Sequence, residues 1–246
     1  MSAPLITAAV IALNEEAHIV PCLESMAWAD ELLVMDGGSS DRTAPLASQF
    51  GARVEQRPFD TFPAQRNAAL RLAANDWVLF VDADERVTPE LALATRETVG
   101  AAAHCGYYIP RYNYIFGRVI RHTGWYPDYQ MRLLDRRSAS YDEEVPVHEV
   151  VRLESGSPGY LVAHFVHYNY RTIGQFIRKQ ERYTDFEASQ LRQQGSVHAR
   201  SLVSMPLREF FRRYVQLAGY RDGAHGLLLS GLMAYFMFRR YWKCLN

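Results

Sequence analysis

Between residues 5 and 81, short apolar runs alternate with segments of helical period, a pattern that demands repeated strand–helix units and a mainly parallel sheet. The runs fall at residues 6–12, 31–35, 53–56 and 77–81. Between the first two, Ile19, Leu23 and Met26 share one helical face, and Pro21 places the start of that helix just before itself. The turn Asp36-Gly37-Gly38-Ser39-Ser40-Asp41 precedes a helix with Pro45 in its first turn, Ser40 or Asp41 as its cap and Phe50-Gly51 as its end. A further helix over residues 63–74 leads into Trp77-Val78-Leu79-Phe80-Val81, whose unbroken apolarity predicts the central strand, and Thr88-Pro89 opens the next helix.

Residues 107–170 have another texture, rich in Tyr, Arg, Pro and Gly, with strand-like pieces at 107–111 and 130–134. They read as an antiparallel extension with loops; from Thr172 onward the chain becomes helical again. The length of 246 residues suits one α/β domain with a small appendage, and an apolar fraction of 48% argues against long disordered stretches. Cys22, Cys105 and Cys244 lack metal or redox spacing and fit a reducing compartment. Residues 5–13 read as a strand rather than a secretion signal, which makes a cytoplasmic location the expectation.

The formal charge is zero overall, yet residues 200–246 carry eight Lys and Arg against Glu209 and Asp222, so the tail is +6 and the remainder −6. Within that tail residues 226–238 are apolar but too few to cross a bilayer. An interfacial helix on anionic lipid at the inner face of the cell membrane, packing on the α/β domain, and a homodimer contact are the three readings of it.

The chemistry is concentrated after the central strand. Asp82 and Asp84, two apart on an extended chain, project to the same side, and hard carboxylate oxygens there suit Mg²⁺ or Mn²⁺ bridging phosphates. With Glu85 they make three acids in four residues, a costly arrangement unless a cation neutralises it. In open α/β sheets ligands bind beyond the carboxyl ends of the strands, where this cluster lies.

Four motifs in order carry a family resemblance: residues 10–16 ending in Asn14-Glu15-Glu16, residues 34–43 around Asp36-Gly37-Gly38, Gln65-Arg66-Asn67-Ala68-Ala69-Leu70, and residues 77–86. They resemble the family 2 inverting glycosyltransferases. Further on, Gly124-Trp125-Tyr126-Pro127-Asp128, Arg132-Leu133, Val147-His148-Glu149 and His167-Tyr168 resemble the lipopolysaccharide-core β-1,4-glucosyltransferase branch of that family.

The resemblance implies a GT-A fold, an α/β nucleotide-diphospho-sugar transferase with a mainly parallel sheet and flanking helices. Residues 1–190 would form the transferase domain, with 1–100 binding the nucleotide sugar and 101–190 the acceptor; 191–246 would be a basic, amphipathic helical extension. The implied reaction moves a hexose, glucose from UDP-glucose, onto a lipid-linked or core oligosaccharide by metal-assisted direct displacement. Glu15 and Asp36 would meet the nucleoside, Arg66 and Asp82 the donor, and Asp82, Asp84 and His167 the metal, with His164 the competing histidine. Glu149 would be the general base, with Asp142, Glu143 and Glu144 as rivals. Trp125 and Tyr126 would stack on the acceptor sugar or serve as core.

Other functions fit less well. A nucleotidyltransferase would carry a Gly-rich basic loop where Asn14-Glu15-Glu16 stands, and a non-catalytic nucleotide-sugar-binding module would lack the acid triplet or the base. No Gly-x-Gly-x-x-Gly follows the first strand, which removes a dinucleotide oxidoreductase, and no nucleic-acid motif accompanies the basic tail.

Overall fold

The computed structural model describes residues 3–144, 150–154, 156–194 and 198–245. In chain order the elements are β1 (Ile6–Ala12), α1 (Ile19–Ser25), β2 (Glu31–Asp36), α2 (Thr43–Phe50), β3 (Arg53–Gln56), α3 (Phe62–Leu72), β4 (Trp77–Asp82), β5 (Glu85–Val87) and α4 (Pro89–Ala101). Then come β6 (Gly106–Ile115), β7 (Arg118–Ile120), β8 (Asp128–Asp135), β9 (Ala139–Tyr141), β10 (Val151–Leu153), β11 (Gly159–Tyr160), β12 (Phe165–Tyr170), α5 (Ile173–Gln194), α6 (Ser201–Phe211) and α7 (Gly223–Leu245).

The main sheet runs β3-β2-β1-β4-β8-β6-β12-β5, with β7 and β11 attached to β6. Its first four strands are parallel, as the alternating runs require, and β1 lies between β2 and β4 in register Val10↔Val34 and Val10↔Val81. From β4 to β8 the direction reverses, with Val78 opposite Leu134. The residues of β4 from Trp77 to Val81 are all buried, with Leu79 and Val81 in one core layer and Val78 and Phe80 in the other.

Local chemistry sets the helix ends. The Thr61 hydroxyl accepts from the Ala64 amide at 3.3 Å and Pro63 occupies the first turn of α3; Thr88 accepts from the Leu91 amide at 3.2 Å ahead of Pro89 in α4. The Asp41 carboxylate accepts from the Thr43 amide at 2.9 Å at the start of α2, and Gly51 closes that helix at φ 100°, a conformation glycine adopts without strain. Helix α1 begins at Ile19, two residues before Pro21, where a missing amide hydrogen costs nothing.

The chain forms two compact units: residues 1–111 with 129–167, and residues 112–128 with 168–246. The residue 190/191 boundary lies within α5. In the second unit α7 packs on α5 and α6, with Leu229 and Phe236 in a core that also holds Ile115, Ile120, Tyr170 and Phe176. Its approach to the 219–222 turn is close enough that a Cβ on Gly226 would lie 1.9 Å from the Gly219 carbonyl oxygen. Much of the basic tail is neutralised within the unit: Glu209 holds Arg212 and Arg213, Glu187 holds Arg240, and Glu181 holds Arg239 and Lys243. Among the described residues, no helix is long and apolar enough to cross a membrane.

Candidate active site

The carboxyl ends of β1, β2 and β4 lie side by side, so the loops that follow them meet. Asn14, at φ 57°, accepts from the Ser40 amide through its side chain at 2.8 Å, while its own amide donates to the Ser39 hydroxyl at 2.9 Å. The Glu15 amide donates to the Thr43 hydroxyl at 2.7 Å and the Glu16 amide to Asp41 at 3.1 Å. Asp36, buried at the end of β2, accepts from the Gly38 and Ser39 amides and so fixes the turn that it opens. A Cβ on Gly37 would sit 3.2 Å from the Phe59 Cβ, a close approach that keeps this position small.

At the end of β4, Asp82 is surrounded by cations. Arg66 from α3 donates to Oδ1 at 2.8 Å, Arg132 from β8 donates to Oδ2 at 2.6 Å, and Arg111 from β6 lies 3.8 Å away. Arg66 and Arg132 are 1% and 3% exposed, and the Arg66 guanidinium also lies over the rings of Phe80 and Tyr141. Glu85, fully buried, accepts from the Asp82 amide at 2.9 Å and from Arg111 at 3.1 Å. Burial alone would raise the Asp82 carboxyl, but the arginines outweigh it and hold the group well below the usual carboxylate range. For Glu85 burial comes first and the Asp82 charge adds to it; together they push its carboxyl up.

These arginines answer the charge problem posed by three clustered acids, and composition gave no sign of them. They stand on three separate elements, and only folding brings them to one strand end. Arg66 came from a motif; Arg111 and Arg132 were not singled out for a role, and only the regular in–out alternation along β6 and β8 could have aimed them.

Asp84 turns to β12, where its Oδ2 lies 3.3 Å from Nε2 of His167; the backbone register sets His167 opposite Glu85. A carboxylate and an imidazole nitrogen converging from two strands, with Asp84 still 31% exposed, fit a divalent cation that takes its other ligands from a diphosphate. Both Asp82 oxygens, by contrast, accept from arginines. Among the described residues no group of three His, Cys, Asp or Glu side chains is assembled to hold a metal. Glu149 lies outside the described residues. Of its rivals, Asp142 is held by Arg152 at 2.6 Å and Glu143 accepts from Asn67 at 2.8 Å.

In the second unit, Trp125 packs edge-on against Tyr170 and Phe176, and Tyr126 lies 4.8 Å from the Tyr112 ring. The loop before them is pinned by Asp222, which accepts from the Arg121 and His122 amides and the Thr123 hydroxyl, and by Arg213, which donates to the Thr123 carbonyl at 2.8 Å.

Comparison with known proteins bears directly on this site. The model of the family described as glycosyl transferase family 2 matches residues 7–143, which include every strand end just described from β1 to β8. The chain belongs to glycosyl transferase family 2. Over 246 aligned residues this family 2 glycosyltransferase is 27% identical to the lipopolysaccharide core biosynthesis glycosyltransferase LpsC of Rhizobium meliloti, covering 95% of this chain and 89% of that one. A glycosyltransferase of Rickettsia conorii is 26% identical over 254 residues, covering 97% and 89%. Among solved structures, S. aureus TarS 1–349 in complex with UDP-GlcNAc superposes with a TM-score of 0.53 at 14% identity, over 96% of this chain and 81% of that chain. That likeness concerns the fold, which is GT-A: mixed α/β with a C-terminal helical region.

Proposed function

We propose that this glycosyltransferase moves a hexose from a UDP-sugar, glucose being the first candidate, to a lipopolysaccharide-core or related lipid-linked glycan with inversion at the anomeric carbon. The observation that carries the reading is the convergence of Asp36, Asp82, Asp84 and His167 with three arginines at adjoining strand ends of one unit. Similarity to LpsC along nearly the whole chain supports the acceptor class.

In this reading Glu15 and Asp36 receive the nucleoside, with Asp36 accepting from the pyrimidine. Arg66 and Arg132 supply charge-assisted donors to the diphosphate, and Asp82 keeps both guanidiniums in place. Asp84 and His167 hold a Mg²⁺ or Mn²⁺ ion, which when bound neutralises charge on the departing diphosphate. Glu149 removes the proton from the acceptor hydroxyl as that oxygen attacks, so a single displacement suffices. Trp125 and Tyr126 offer ring faces to the acceptor sugar. The protein works in the cytoplasm as a peripheral component of the membrane's inner face, through residues 200–246.

The test is a thermal-shift titration with UDP in the presence and absence of Mn²⁺. Wild-type protein is stabilised by UDP, more so with the ion, and Asp84→Ala loses the ion-dependent part. Unchanged ion-dependent stabilisation in that variant would remove Asp84 from its role. Glu149→Gln keeps UDP binding and loses transfer; near-normal turnover would assign the base elsewhere.

A further inference from the structure

The apolar stretch in α7 is the segment whose hydrophobicity stands out in the sequence, yet its Gly226, Leu229, Ser230 and Phe236 are buried within the helical unit. Leu227, Leu228 and Tyr235 of the stretch are exposed, at 50%, 40% and 50%, but the more exposed apolar row lies on α6 and the π-turn after it (Arg212–Gln216). Val203, Leu207, Phe211 and Val215 recur every four residues and are 64%, 65%, 53% and 46% exposed. Four such side chains in one row on a helix surface, none folded under, form an unpartnered stripe.

Charge identifies its occupant. Residues 200–221 contain five arginines and a single acid, Glu209. That acid is turned inward, 7% exposed, with both oxygens taken by Arg212 and Arg213. Arg200 at the head of the stripe, Arg208 beside it and Arg221 beyond it form no ion pair among the described residues, so the rim is cationic with no exposed acid to balance it. A second copy of the same face would bring like charge against like charge. Phe210 stacks on Tyr214, which meets Tyr220 edge-on; the amphipathic tyrosine rings suit the boundary between water and acyl chains.

We infer that α6 and the π-turn lie on an anionic lipid bilayer surface, with the 203–207–211–215 stripe inserted among the headgroups and Arg200, Arg208 and Arg221 against phosphate. This deepens the peripheral-membrane part of the proposed function and places the contact on α6 rather than on the apolar stretch of α7. Attraction of cations to lipid phosphate and burial of a modest apolar stripe act together here, and neither alone gives stable attachment.

The experiment is co-sedimentation of the full chain with vesicles of phosphatidylglycerol and phosphatidylethanolamine, against vesicles of phosphatidylcholine alone, at low and high salt. The anionic vesicles bind the protein and the neutral ones do not, and salt weakens the binding. Leu207→Glu lowers the affinity roughly tenfold by removing an inserted side chain. Arg200→Ala with Arg208→Ala lowers it about fivefold per arginine. Leu93→Glu, at an equally exposed leucine of α4, leaves it unchanged. Equal binding of wild type and Leu207→Glu, indifference to lipid charge, or a wild-type dimer that Leu207→Glu dissociates without any vesicle binding overturns the assignment. Stabilisation by UDP is read in the same samples. A protein that binds the anionic vesicles without responding to UDP upholds the surface and sinks the donor assignment; one that responds to UDP and ignores vesicles sinks the surface alone.

Discussion

Replacing Asp82 by alanine is the sharpest test of how the site is held together. Its two oxygens receive Arg66 at 2.8 Å and Arg132 at 2.6 Å. At a charge separation of roughly 4 Å and an effective dielectric of about 20, each contact carries on the order of 4 kcal/mol of gross attraction. Desolvation of the ions offsets much of that in the wild type, but deletion of the carboxylate leaves two guanidiniums that are 1% and 3% exposed without their shared counter-charge. Breaking a buried pair in this way costs about 3–5 kcal/mol. For a chain of this size that lowers the melting temperature by roughly 6–20 °C. The assay is a thermal melt with and without inorganic pyrophosphate, whose oxygens can take over the two arginines. Asp82→Ala therefore melts lower and gains more from pyrophosphate than the wild type does. A variant that melts with the wild type would refute the arginine clamp. If instead Mn²⁺ without nucleotide stabilises the wild type and not the variant, Asp82 is a metal ligand.

Two further outcomes follow from neighbouring geometry. Because burial and the Asp82 charge raise the Glu85 carboxyl above its usual 4.5, the folded protein keeps that proton to higher pH than the unfolded chain does. The resulting stability is fully present below 4.5 and is lost as pH rises through the folded value, so Glu85→Gln, which cannot ionise, gains on the wild type as pH is raised toward neutrality. Melting curves against pH that run parallel for the two proteins would contradict this. Gly226→Ala forces a Cβ to within 1.9 Å of the Gly219 carbonyl, a backbone obstacle that cannot rotate away. It should destabilise the helical unit by about 3 kcal/mol, the upper end for overpacking, and an alanine variant that melts like the wild type would show that α7 can shift freely.

The parallel half of the sheet was legible because its strands are fully buried, so unbroken apolar runs mark them; 53–56 and 77–81 fell within a residue of the observed β3 and β4. The cap at Thr88 was legible because side-chain oxygens near helix starts act within a few residues, whereas at α2 the N-cap is Arg42 and Asp41 acts from one residue ahead of it. The neutralisation of Asp82 was not, since Arg66, Arg111 and Arg132 are 16, 29 and 50 positions away and no local rule links them. For the same reason the meeting of His167 with Asp84 was not legible, because it depends on the pairing of β12 with β5. In the tail, hydrophobicity pointed to α7, whereas the most exposed apolar side chains, Val203 and Leu207, stand on α6; only packing reveals which apolar side chains a helix spends on its neighbours.

The exchange of hydrogen bonds between residues 14–16 and 39–43 has a practical side. Neither segment has a conformation of its own to bring to a chimera: each borrows its shape from the other. On the proposed function, a chimera aimed at a different nucleotide is therefore built by transplanting the two stretches jointly, since a graft of either one alone arrives without its mould.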